Sequence, residues 1–114
     1  MAESKLAVLS MNFAVKVLRL CDGIKGHYSL VNQLERSATS IGANIHEAQY
    51  AQGTKDFISK FEIALKEVYE TEYWLELLYE TGYMKEVTYK PIQNSCGAIR
   101  RMIISSIKTI KEKQ

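Results

Sequence analysis

Proline occurs once in this 114-residue chain and cysteine twice, and no uncharged stretch approaches the length of a membrane span. Each scarcity excludes something. With one proline and 46% hydrophobic residues, the chain is neither a disordered segment nor a proline-rich linker. Cys21 and Cys96 stand 75 positions apart and in no CxxC arrangement, which excludes a disulfide framework and a zinc-ribbon spacing. Two scattered thiols on helical patterns read as reduced core residues, as expected of a cytoplasmic protein. The longest uncharged runs, such as Leu6 to Val15, fall far short of the ~18 residues that cross a bilayer, so no membrane partner is expected. Lys5, Lys16 and Arg19 interrupt the N-terminal apolar residues, and these do not read as a signal peptide.

The residues from which catalytic sites are built are also scarce or wrongly spaced. His46-Glu47 is half of a zinc-protease motif, but Tyr50 stands where the second histidine is required. Glu70, Glu72, Glu76 and Glu80 are not accompanied by the Glu-x-x-His pairs of a di-metal bundle. Gly42 and Gly53 belong to no phosphate-binding loop, and no serine or cysteine has a plausible base beside it. The expectation is a protein without catalytic residues, metal or cofactor.

What the chain does have is helical periodicity. One apolar stripe runs through Leu6, Leu9, Phe13, Val17 and Leu20, and a second on the same segment through Val8, Met11, Val15 and Leu18. Leu30, Leu34, Ala38, Ile41, Ile45 and Ala48 form the next stripe, followed by Phe57, Phe61, Ala64, Val68, Thr71, Leu75 and Leu78. The last is Ile92, Cys96, Ile99, Ile103, Ser106 and Ile110. Glycines punctuate them at 23, 26, 53 and 82. The pattern predicts helices over about Glu3–Ile24, His27–Gln52, Thr54–Thr81 and Glu86–Lys113, with the Thr54 hydroxyl capping the third. Proline is tolerated only in an opening turn, so Pro91 moves the expected start of the fourth helix toward Thr88. Short connections make this an all-α, antiparallel up-down-up-down four-helix bundle, one domain over residues 1–114.

Some helices carry more apolar surface than a lone bundle uses. Ile63, Trp74 and Leu77 flank the third stripe, and the second helix has a small, mostly uncharged face that includes Gln33, Arg36, Ser40, Ala43 and Glu47. Surplus of this kind marks an interaction surface, and a homo-oligomer is expected to bury it. Antiparallel residues on the second and third helices stand level when their numbers sum to about 106. Arg36 and Glu70 meet that condition, which predicts a charge-assisted bond between them, within the bundle or across subunits.

Charge is unevenly spread although the net value is only +2. Residues 54–83 hold three basic and seven acidic side chains, whereas residues 87–114 hold six basic and one acidic. At ~100° per residue, Arg100, Arg101, Lys108 and Lys111 share one face of the fourth helix. Such a cluster is a candidate contact for the phosphate backbone of a nucleic acid; the competing reading is a solvated face whose cations pair with the acidic third helix.

One ordered set of residues resembles a known family. It comprises Gln33-Leu34-x-Arg36, Ser40-Ile41-Gly42-Ala43-Asn44-Ile45-x-Glu47, Lys55-Asp56-Phe57-Ile58, Ile63-Ala64-Leu65, Glu70-Thr71-x-x-Trp74-Leu75 and Gly82-Tyr83. It is similar to the four-helix-bundle proteins encoded in 23S rRNA intervening sequences. The chain departs from them at Gly42, where many have proline, and at His46-Glu47-Ala48, where many have Ala-Glu-Gly. The resemblance implies the bundle and a ring-shaped homopentamer. More distant bundles of similar shape are accessory subunits of retroelement reverse transcriptases, so a nucleic-acid enzyme is a further partner implied by the likeness.

Overall fold

The computed structural model describes residues 4–114, which form four helices: α1 (Lys5–Asp22), α2 (Tyr28–Ala48), α3 (Thr54–Glu80) and α4 (Glu86–Glu112). Each helix packs on its two neighbours around the bundle, α1 on α2 and α4, and α3 on α2 and α4. The backbones of the diagonal pairs α1–α3 and α2–α4 stay more than 8 Å apart, Cα to Cα, among the described residues. The up-down-up-down bundle measures 46 × 23 × 20 Å, its length set by α3 and α4.

The apolar stripes turn inward as their spacing requires. Phe13, Val17, Leu34, Ile41, Ile45, Val68, Leu75, Leu78, Ile99 and Ile103 are almost completely buried. Each large aliphatic or aromatic among them stabilises the fold by roughly 1.5–3 kcal/mol through burial. Both cysteines are unpaired and buried. Met84, outside every stripe, is also buried, and anchors the α3–α4 connection to the core. Ser37 and Thr71 are the polar exceptions at the α2–α3 seam, their hydroxyls 2.8 Å apart and fully buried.

Local chemistry sets the ends. The Ser4 hydroxyl accepts the Ala7 amide at 3.0 Å and caps α1. At the end of α3, Gly82 takes φ +85°, Tyr83 N donates to Leu78 O at 2.9 Å and Gly82 N donates to Tyr79 O at 3.1 Å. This pair of reversed bonds is what a left-handed glycine makes possible. The His27 ring meets Tyr83 edge-on at 4.6 Å, so the α1–α2 and α3–α4 connections close the same end of the bundle.

Three expectations are corrected. The regular part of α2 ends at Ala48 rather than Gln52. The Thr54 hydroxyl caps nothing; Gly53 occupies the cap position, and the Asp56 carboxylate accepts the Gln52 amide at 3.3 Å instead. A carboxylate in the first turn also opposes the positive end of the helix dipole, which a hydroxyl cannot do. Finally, α4 starts at Glu86 and carries Pro91 inside it. The carbonyl that loses its partner belongs to Val87, an exposed residue beside which water can take the bond.

Candidate nucleic-acid interface and assembly surfaces

The four basic residues of α4 are brought onto one side of the bundle, but they are not equivalent. Arg101 and Lys108 are exposed and enter no ion pair among the described residues. Arg100 is half-buried rather than exposed, with Nε 3.4 Å from Glu72 Oε2 on α3. Lys111 is exposed, and its Nζ donates to Glu62 Oε2 at 3.4 Å. Half of the cluster is thus tethered to the acidic helix beside it. The other half is free to meet a solvent-borne anion.

Gly97, which the basic pattern did not single out, shapes this surface. Long side chains on a helix lean back over the preceding turn. Arg100 and Arg101 do so here: a Cβ at Gly97 would stand 3.3 Å from both Arg100 Nη2 and Arg101 Nη1. The two guanidiniums therefore converge over a residue with no side chain. On either flank the cations border shallow apolar grooves. Lys108 and Lys111 line one with Leu65, Ile104 and Ile107, and Arg101 lines the other with Lys5, Leu9 and Met102.

The residues expected at a subunit boundary collect along the outer edge of the α2–α3 pair. The Arg36–Glu70 bond forms within the bundle, from Nη2 to Oε2, and Arg36 Nη1 also donates to Glu67 Oε1 at 3.3 Å. Gln33 Oε1 accepts from Arg36 Nε at 3.2 Å, and Glu70 further accepts the Trp74 indole N–H at 3.0 Å. Glu47 reaches Lys60 at 3.4 Å. Gln33, Arg36, Ala43, Glu47 and Ile63 are exposed, whereas Ser40, Glu70, Trp74 and Leu77 are half-buried; Trp74 packs against the bundle's own core.

Outside these surfaces the chemistry is quiet. Burial, then the charges of Glu35 and Asp22, push the Cys21 thiol up to about 12. Burial and Glu72 do the same to Cys96, to about 12, against a smaller lowering by Arg100. Both are neutral thiols near pH 7 and poor nucleophiles. The Tyr79 phenol is held above its ordinary value first by its hydrogen bond to Glu86 (3.1 Å) and then by burial; Tyr89, stacked on it at 4.3 Å, is raised mainly by burial. Among the described residues no group of three or more His, Cys, Asp or Glu could hold a metal ion, and no helix is long and apolar enough to cross a membrane.

Residues 3–105 match the family model described as 23S rRNA-intervening sequence protein. Among solved structures, the chain is similar to a protein of unknown function from the S23 ribosomal protein family of Bacteroides thetaiotaomicron. The two are 44% identical with a TM-score of 0.85, over 90% of this chain and 98% of the other. No curated protein matches significantly.

Proposed function

This chain belongs to the 23S rRNA-intervening sequence protein family, and from that premise we propose that it is a non-enzymatic, homo-oligomeric bundle that binds RNA weakly through the outer face of α4. The observation that carries the reading is the pair of unpaired, exposed cations, Arg101 and Lys108, flanked by Arg100 and Lys111 on one face. The family description supplies the class of nucleic acid. Contacts of this kind neutralise phosphates without reading bases, and no aromatic platform stands among the four, so the binding is shape-tolerant. A ring strengthens it by presenting several copies of one patch, and a pentamer is the first choice on family resemblance. A cytoplasmic location belongs to the same reading, supported by the two unpaired, buried thiols.

The test is RNA affinity against salt for wild type and for Arg101→Glu/Lys108→Glu, a variant that leaves both α3–α4 ion pairs intact. At ~0.7 per phosphate for a single strand, the slope of log K on log salt is expected to fall by roughly 1.4 per contacting subunit. Equal affinity and slope in the two proteins would refute the assignment. A second reading is favoured by the tethering of Arg100 and Lys111 to Glu72 and Glu62. In it α4 is a solvated face, and the protein is an interaction scaffold or an accessory subunit of a nucleic-acid enzyme. A wild-type protein that binds no RNA at low salt would favour it.

A further inference from the structure

Arg100 and Arg101 are consecutive, and consecutive side chains on a helix point ~100° apart. Their charged ends nevertheless converge. A Cβ at Gly97 would lie 3.3 Å from Arg100 Nη2 and 3.3 Å from Arg101 Nη1, so the two nitrogens are separated by at most twice that distance. Gly97 stands one turn before both arginines, and its missing side chain leaves the cradle in which they meet. Glycine in mid-helix destabilises that helix relative to alanine, and here the cost comes with a pair of cations drawn together. The polar chemistry around Gly97 is also unsatisfied. Gln93 Oε1, one turn before it, and Arg100 Nε, one turn after it, are buried and lack a hydrogen-bond partner among the described residues. Such atoms are rare in folded proteins.

The surface of α4 changes sign at this fork. From Arg101 to its end the helix carries Arg101, Lys108 and Lys111 against Glu112. Toward its start, Glu76, Glu80 and Glu86 gather round the stacked Tyr79 and Tyr89, with Lys85 and Lys90 the cations nearest in sequence. At the fork itself Glu72 is the one carboxylate that pairs with either arginine, 3.4 Å from Arg100 Nε. It holds Arg100 in place and leaves Arg101 without an ion pair among the described residues. A polyanion lying along α4 is thus attracted on one side of Gly97 and repelled on the other.

We propose that the Arg100–Arg101 fork over Gly97 seats the terminal phosphate of an RNA strand whose backbone continues along α4 past Lys108. The seat rests on the RNA-binding reading above and names the part of the strand that is recognised. A terminal phosphomonoester carries about two negative charges near pH 7 and three unsubstituted oxygens. Each guanidinium can take one of those oxygens in a charge-assisted bond of ~2.7–2.9 Å. An internal phosphodiester carries a single charge and must continue on both sides, one of them toward the carboxylates around Tyr79 and Tyr89. Gly97 acts as a positioning residue, because any side chain there parts the fork.

One short RNA sequence, prepared with a 5′-phosphate, with a 3′-phosphate or with hydroxyl ends, tests the seat at low salt. Wild type should bind at least one phosphorylated strand about tenfold more tightly than the hydroxyl strand, the worth of one charge-assisted hydrogen bond. Gly97→Leu keeps every cation but fills the cradle, so its ratio should fall to about one. A general attraction to the added charge would survive that substitution, and a ratio retained in Gly97→Leu overturns the fork. Should this variant lose its helical circular dichroism, Arg101→Gln, at an exposed residue, makes the same comparison. Inorganic phosphate should displace the phosphorylated strand only at much higher concentration; displacement at equal concentration would overturn RNA as the source of the phosphate. Wild type that binds all three strands alike loses the seat but keeps the RNA reading, whereas wild type that binds none of them loses both.

Discussion

Replacing Thr71 by valine removes one hydroxyl and almost no volume, and it isolates the buried polar contact between α2 and α3. Thr71 Oγ1 lies 2.8 Å from Ser37 Oγ and 2.7 Å from Glu67 O, and Ser37 Oγ lies 3.3 Å from Leu34 O. Three contacts share two protons, so each hydroxyl keeps a carbonyl of its own helix when its partner is removed. Thr71→Val leaves Ser37 only the long bond to Leu34 and should cost about 1 kcal/mol, the net worth of one hydrogen bond. In a domain of this size that is a fall of about 4 °C in Tm. Ser37→Ala leaves Thr71 its short bond to Glu67, and alanine's higher helix propensity offsets part of the loss, so this variant should lie within about 0.5 kcal/mol of wild type. The double variant replaces both partners by apolar groups in a dry seam and should recover most of the loss, for a coupling of about 1 kcal/mol. Urea unfolding followed by circular dichroism, at one fixed protein concentration because assembly adds to apparent stability, measures the cycle. Additivity within about 0.3 kcal/mol would refute the reasoning, because it would mean that the hydroxyls act independently across the seam.

Arg36→Ala removes a guanidinium whose side chain is 47% exposed; solvent screening limits the expected loss to at most about 1 kcal/mol in urea unfolding, and a much larger value would place the pair at a buried boundary. Gly42→Ala should stabilise α2 by roughly 0.5–1 kcal/mol, since the added Cβ would meet Ser10 no closer than an ordinary contact of 3.5 Å; a lower Tm would show that the α1–α2 crossing is tighter than that. Cys21 and Cys96 are raised from an ordinary 9.0 to about 12, so the unfolded chain ionises first as pH rises. Their contribution to stability is fully present below pH 9.0 and is lost as pH climbs toward about 12. Cys96→Ala should flatten that decline in a pH series of unfolding curves; an unchanged slope would contradict it.

Periodicity alone determined the four helices, their order and most of the core, because the spacing of apolar residues along a helix is a local property that burial then enforces. The same arithmetic placed Arg36 opposite Glu70 and grouped the four cations of α4 on one face. Glycine at 82 was equally legible, since only a left-handed residue permits the bonds that end α3. Tertiary structure decided what local pattern cannot carry. Thr54 is a good capping residue by type, yet Gly53 took the cap position, no side chain caps α3, and α2 stopped short. Val8, Met11, Val15 and Leu18 have the spacing of a core stripe, and only the packing of α1 against α2 and α4 showed that they face outward. Arg100 and Lys111 look like Arg101 and Lys108 in the sequence; Glu72 and Glu62, 28 and 49 positions away, are what separate the tethered cations from the free ones. A helix specifies its own faces, but which face meets a neighbour depends on residues distant in the chain.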